Sequence, residues 1–180
     1  MSKIGKKTIV LPKESSIKID GANLTITGPK GSKTLTINDK IFSSKLVESE
    51  FQLQPLEKKI DKKTSIMWGT YRSLINNAVQ GVSKGHEKIL ELNGVGFRAN
   101  LKGESLNLQI GFSHDVNFKI PKDIKITVEK QTIIKIIGVD KELVSKIAAD
   151  IKNLKPVEPY KAKGIKEKGQ FVLGKEGKKK

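Results

Sequence analysis

The chain has no cysteine, which excludes disulfides, a thiolate nucleophile and Cys-ligated zinc and is compatible with a reducing compartment. It has two histidines, His86 and His114, too few to build a metal site by themselves. Both read as loop residues. Aromatic residues make up 5% of the chain, with a single tryptophan. The aromatic ribonucleoprotein motif of the common RNA-binding sheet is missing, so stacking on single strands is not the main binding mode. Arginine is nearly missing too: only Arg72 and Arg98 stand among 35 basic residues. Lysine acts as a point charge, whereas arginine offers a planar fork. Contacts to phosphates are therefore expected, with few readings of base edges. No apolar window approaches the length of a membrane span. There is no basic amphipathic helix or lipid anchor to hold an acidic membrane surface. The opening, Met1 to Val10, reads as neither signal peptide nor presequence.

What remains is charge. The 180 residues carry 35 basic and 19 acidic side chains, a formal net charge of +16. That is the footprint of a protein that meets a polyanion, and nucleic acid is the commonest. Residues 1–13 hold four lysines and no acid, and residues 155–180 hold nine lysines and three acids. The two ends are cationic arms around a more balanced middle. An apolar fraction of 36% allows one large domain or two small ones.

Alternation and turn chemistry set out the elements. Ile17-Lys18-Ile19 and Leu24-Thr25-Ile26 flank Asp20-Gly21, a hairpin marker. Gly28-Pro29-Lys30-Gly31 turns the chain into Thr34–Ile37, and Phe51–Gln54 is a further strand. Lys58–Lys63 reads as a basic loop. From Thr64 to Val82 the residues Trp68, Tyr71, Ile75, Ala78 and Val82 recur at helical spacing. Six strands follow, Ile89–Leu92, Phe97–Leu101, Leu106–Ile110, Val116–Ile120, Ile124–Val128 and Thr132–Ile137, with turns at Gly103-Glu104 and Lys130-Gln131. A helix then runs from Lys141 to Leu154, with Asp140 at its N-cap, and Pro156 and Pro159 stop it. The reading is α+β: two similar small domains, each an antiparallel sheet packed with one main helix, plus a basic C-terminal arm. The expected boundaries are 1–82, 83–155 and 156–180. Leu11-Pro12-Lys13 through Gly28 pairs with Ile120-Pro121-Lys122 through Gly138, given one inserted residue. This is the pattern of a duplication, although alternating strands also generate it by chance.

The catalytic patterns fail on geometry. Gly28–Thr34 has the wrong spacing for a phosphate loop, and a strand follows it. Asn93-Gly94-Val95-Gly96 lacks the third glycine and the helix of a dinucleotide fingerprint; it reads as a bulge or tight turn. Ser113-His114-Asp115 holds the residue types of a hydrolase triad, but contiguous residues do not converge as a triad must. Trp68 and Tyr71 read as core. Arg72 lies off their face, as a solvated side chain or an RNA contact. The 19 acids are scattered, whereas a nucleic-acid enzyme needs clustered carboxylates for metal ions. No catalytic residue, metal site or cofactor is expected. The C-terminal arm, with Ile165, Phe171, Val172 and Leu173 among its lysines, reads as a segment that orders against a large partner.

Pro156-Val157-Glu158-Pro159-Tyr160-Lys161-Ala162-Lys163-Gly164-Ile165 resembles the signature of the bacterial-type large-subunit ribosomal protein six family. Ser2–Lys7, Met67–Thr70 with Arg72–Leu74, Leu92–Ala99, Gly111–His114 and Lys175–Lys180 are similar to that family in the same order, across essentially the whole chain. The resemblance implies two α+β domains related by duplication. It implies a structural constituent of the large subunit, bound to large-subunit rRNA near the stalk base and the sarcin–ricin loop. Neighbouring subunit proteins would adjoin it, and translational GTPases would dock nearby. On this reading Lys161, Lys163, Lys166 and Lys168 neutralise rRNA phosphates, and Tyr160 packs against the arm or a sugar–base edge. Gly164, Lys175, Lys178 and Arg72 complete the expected contacts. One departure is Ala162, where the family usually has glycine. The location implied is a ribosome, in a bacterial cytoplasm or a mitochondrial or plastid matrix. A free RNA chaperone and, less well supported, a nucleic-acid enzyme are the alternatives.

Overall fold

The computed structural model describes residues 2–47, 49–57 and 61–177. They form two compact units. One comprises the chain up to Gly85 with Val139–Lys141, the other His86–Gly138 with Glu142 onward.

In the first unit the order is β1 (Ile9–Val10), β2 (Ser16–Asp20), β3 (Asn23–Gly28), β4 (Gly31–Thr36), β5 (Phe42–Val47), β6 (Glu50–Pro55) and α1 (Lys62–Ser83). Two-residue turns at Gly21-Ala22 and Pro29-Lys30 join β2, β3 and β4 into one antiparallel sheet. A second sheet has the order β1-β6-β5. The sequence reading misses β5. It is an edge strand, and only Phe42 of its residues is buried, so packing imposes no alternation on it. Helix α1 starts earlier than its periodicity predicts, because the Asp61 carboxylate accepts from the Lys62 amide at 2.7 Å and caps the first turn. Lys62 and Lys63 are therefore helical, while the rest of the expected basic loop, 58–60, lies outside the described residues. Trp68, Ile75, Val79 and Val82 of α1 pack on Leu24, Ile26, Phe51 and Leu53. Each such burial contributes roughly 1.5–3 kcal/mol. Trp68 is core, as expected, and its Nε1 donates to the Leu53 carbonyl at 2.7 Å. Asp140, expected at a helix N-cap, has its carboxylate paired with Lys33.

In the second unit the order is β7 (His86–Asn93), β8 (Arg98–Lys102), β9 (Ser105–Gln109), β10 (Val116–Lys119), β11 (Ile124–Glu129), β12 (Ile133–Gly138), α2 (Lys141–Leu154) and β13 (Gly164–Glu167). The sheets are β10-β9-β8 and β11-β12-β7-β13. Both contribute to one core with α2, from Leu90, Leu108, Ile134, Ile136, Val144 and Ile151. His86 opens β7 and does not lie in a loop. The β11–β12 turn places Lys130 and Gln131 at φ 53° and 57°, left-handed at both central positions without glycine or asparagine. The backbone holds it there: Ala99 N donates to Gln131 O and Leu92 N to Thr132 O, each at 2.8 Å.

Candidate nucleic-acid interface

Helix α2 ends at Leu154, and after Lys155 comes Pro156, which has no N–H. The chain then closes a turn in which Glu158 N donates to Lys163 O at 2.8 Å and Ala162 N to Glu158 O at 3.1 Å. Ala162 takes φ 52° to make it. At Gly164, φ 138°, a Cβ would stand 2.7 Å from the Pro156 carbonyl oxygen and from Val157 Cα. Only glycine lets the chain pass under the turn it has just made. Strand β13 then pairs with β7, Ile165 opposite Leu92 and Lys166 opposite Glu91. Ile165 is fully buried, and Ile165 N donates to Lys155 O at 2.9 Å. Beyond the strand, Lys168 N donates to Ile89 O and Lys175 N to Pro159 O, both at 2.9 Å. The stretch expected as an arm beyond the second domain is thus, as far as Lys168, an edge of that domain's sheet. Its short strand carries one apolar anchor, which gives periodicity too little to act on.

This geometry sorts the expected contacts. Tyr160, Lys161 and Lys163 are exposed on the turn, Lys168 lies just past β13, and Lys175 is exposed where the tail folds back. Among the described residues none of these four lysines has a carboxylate partner. Glu158 is the acid within the turn. Lys166 differs, because it is half-buried and pairs with Glu91 at 3.1 Å. Gly164 is buried beneath the turn and offers a nucleic acid no surface. Lys178 lies outside the described residues. On the same sheet Lys88 pairs with Glu167, and Lys135 with Glu129 at 2.6 Å. The hydrogen bond and charge of Glu129 hold Lys135 above the ordinary lysine value. Of the four lysines on this sheet's strands, Lys88, Lys135 and Lys166 are paired and, among the described residues, Lys125 is not, whereas the turn pairs none of its own. Of the apolar residues expected to order, Ile165 is buried, while Phe171 and Leu173 are 84% and 77% exposed.

Arg72 belongs to the first unit and holds its own chain. Its guanidinium donates to the carbonyls of Lys7 and Thr8 at 3.2 and 3.3 Å. Gly5 lies so close to the Trp68 ring that a Cβ would come within 2.5 Å of it. The start of the chain, expected as a cationic arm, is therefore seated on α1 from Gly5 to Thr8.

At the end of β9 a short loop projects two rings. Phe112 and His114 are nearly parallel, with centroids 6.2 Å apart and planes 16° apart. The Lys155 ammonium stands 4.9 Å from the centre of Phe112. Sequence reasoning missed this grouping, since its members come from a loop and from the end of α2. Ser113, His114 and Asp115 form no relay: the Asp115 carboxylate accepts from the amides of Asn107 and Gln109. Gly94 to Phe97 is the expected tight turn, closed by Phe97 N to Gly94 O at 3.3 Å. Gly28 to Gly31 is the β3–β4 turn. Among the described residues no three His, Asp or Glu side chains are grouped to hold a metal ion, and no helix is long and apolar enough to cross a membrane.

Comparison with known proteins gives this geometry a family. The profile of ribosomal protein L6 matches the chain twice, at residues 11–85 and 93–168. The duplication is thus real, but its phase is not the one read from the strands. The second copy opens at 93, near the start of β8, and Ile120 falls well inside it. A shift by three strands, from β8–β9 to β11–β12, lays alternating strands on alternating strands, which explains the mistaken register. The large ribosomal subunit protein uL6 of Staphylococcus carnosus is 47% identical over 178 residues, covering 99% of this chain and 98% of that one. Those of Beijerinckia indica and Sphingopyxis alaskensis are 44% and 42% identical over 180 residues, covering both chains completely. The chain belongs to the ribosomal protein L6 family.

Proposed function

We propose that this chain is a structural, non-catalytic constituent of the large ribosomal subunit, and that it binds large-subunit rRNA through the turn and edge strand at the end of its second unit. The observation that carries this reading is the contrast between paired and unpaired lysines. Lys88, Lys135 and Lys166 are neutralised within the sheet. Lys161, Lys163 and Lys168 stand exposed on a backbone fixed by hydrogen bonds. Cations held in place without carboxylate partners suit phosphates and release counterions on contact. The relatives are large-subunit proteins of bacteria, which supports a bacterial-type ribosome as the location, with rRNA and adjoining subunit proteins as partners. The finer address is the rRNA junction by the stalk base and the sarcin–ricin loop, near the docking site of translational GTPases. Arg72 serves the fold, as the clamp on residues 7 and 8.

Deleting residues 156–180 is a poor test, because it would strip Ile165 from the core and β13 from the sheet. The triple substitution Lys161→Met, Lys163→Met, Lys168→Met keeps both. Binding of the variant to a large-subunit rRNA transcript is measured across a salt series. Three lost phosphate contacts should make the log–log salt slope shallower by about 2–3 and reduce incorporation into large subunits. An unchanged slope with full incorporation would refute the reading. Sedimentation at physiological salt separates a subunit constituent, which travels with large subunits, from a free chaperone, which does not.

A further inference from the structure

We infer that the loop between β9 and β10 is a second rRNA contact, in which the Phe112–His114 ring pair under the Lys155 ammonium stacks on an unpaired nucleobase. This rests on the rRNA-binding reading above. Three observations carry it. The first is exposure: Phe112 is 45% exposed and His114 is exposed beside it, so ring area faces solvent where an aromatic would ordinarily be buried. The second is preorganisation. Gly111 enters the loop at φ 77°, with Phe97 packed 3.2 Å from where its Cβ would stand. Asn107, the buried polar side chain among the described residues, donates from one amide to Asp115 Oδ2 at 3.2 Å and Asn117 Oδ1 at 3.0 Å. The loop is thus anchored at both ends, and its rings lose little freedom on binding.

The third observation is charge. Lys155 lies over Phe112 within cation–π distance, and the β8–β9 register sets Arg98 opposite Gln109, next to the loop. The acid of the loop, Asp115, is engaged by Asn107 and Gln109. A planar π surface edged with positive charge is the requirement for an unpaired base on a phosphate backbone. Lys155 also accepts at its carbonyl from Ile165 N, so this platform and the lysine turn are built on one stretch of chain. Low aromatic content excludes stacking as the main mode of binding, but one platform needs only these two rings.

The test uses the full-length protein and a large-subunit rRNA transcript. Phe112→Leu keeps apolar volume and removes the ring, and Phe112→Trp keeps a ring. Affinity is measured over a salt series, and chemical reactivity of unpaired bases is mapped with and without protein. Phe112→Leu should weaken binding by about 5- to 150-fold, leave the salt slope unchanged, and expose a base that the unsubstituted protein protects. Phe112→Trp should restore that protection. The triple lysine variant should change the slope while still protecting the base at low salt, so the two readings fail separately. Phe112→Leu with undiminished affinity and the same protection would overturn the inference. So would normal rRNA binding by Phe112→Leu combined with loss from assembled subunits, which would assign the rings to a protein neighbour. Thermal unfolding of each variant, expected to match that of the unsubstituted chain, guards against misfolding.

Discussion

Ala162→Gly should make this protein more stable. Ala162 is exposed and holds φ 52° in the turn that presents Lys161 and Lys163. An L-residue in that left-handed conformation is disfavoured by roughly 1–2 kcal/mol, because its Cβ crowds the backbone. Glycine removes that cost but gives the unfolded chain more freedom, which takes back about 0.4–1 kcal/mol. The expected net gain is about 0.5–1 kcal/mol. For a chain of this length that raises the melting temperature by about 1–4 °C. No packing is lost, and the bond from residue 162 N to the Glu158 carbonyl, 3.1 Å, uses backbone alone. Differential scanning calorimetry reads the shift, and Ala162→Val supplies the opposite arm, since a β-branched residue is worse still at positive φ. An Ala162→Gly variant that melts at or below the parent temperature, or an Ala162→Val variant that melts no lower, would refute the left-handed turn.

Two further substitutions probe the same reasoning elsewhere. Gly164→Ala should detach β13, because the new methyl would meet Pro156 and Val157 backbone at 2.7 Å. Losing the burial of Ile165 alone costs about 2–5 kcal/mol, and hydrogen exchange at the amides of 165 and 168 should rise sharply; unchanged exchange counts against the edge-strand assignment. Lys130→Asn with Gln131→Gly gives the β11–β12 turn the residues that φ 53° and 57° favour. The double variant should gain about 1 kcal/mol in denaturant unfolding, and no gain means that the turn is not left-handed at both positions.

The sequence makes the interior strands and both helices legible, because burial on one face imposes a period. Leu24 and Ile26, or Ile134 and Ile136, are buried at every second position, and α1 buries Trp68, Ile75 and Val82 at helical spacing. It hides what is held by single anchors. Strand β5 rests on Phe42 and β13 on Gly164 and Ile165. Neither offers a period: β5 is a strand through its hairpin with β6, and β13 through the edge of β7, far earlier in the chain. The site was legible in composition and hidden in detail for the same reason. A lysine count is local, but whether a given lysine is spent depends on a carboxylate from another strand, as Lys166 depends on Glu91.

Three segments of the second unit that lie far apart in sequence constrain one another in the structure. Residues 92–99, 111–114 and 156–165 meet at one end of that unit. Asn93 pairs with Gly164 and Leu92 with Ile165. Phe97 packs within reach of both Gly94 and Gly111, where a Cβ would stand 2.9 and 3.2 Å from its ring. Lys155, one residue before the turn, lies over Phe112. A side chain added at Gly94 or Gly111 would displace Phe97 and with it the loop that carries Phe112. One added at Gly164 would lift the lysine turn. Each glycine here is a steric permission for a different charged or aromatic group to reach the surface, so the proposed binding face depends on residues that touch no ligand.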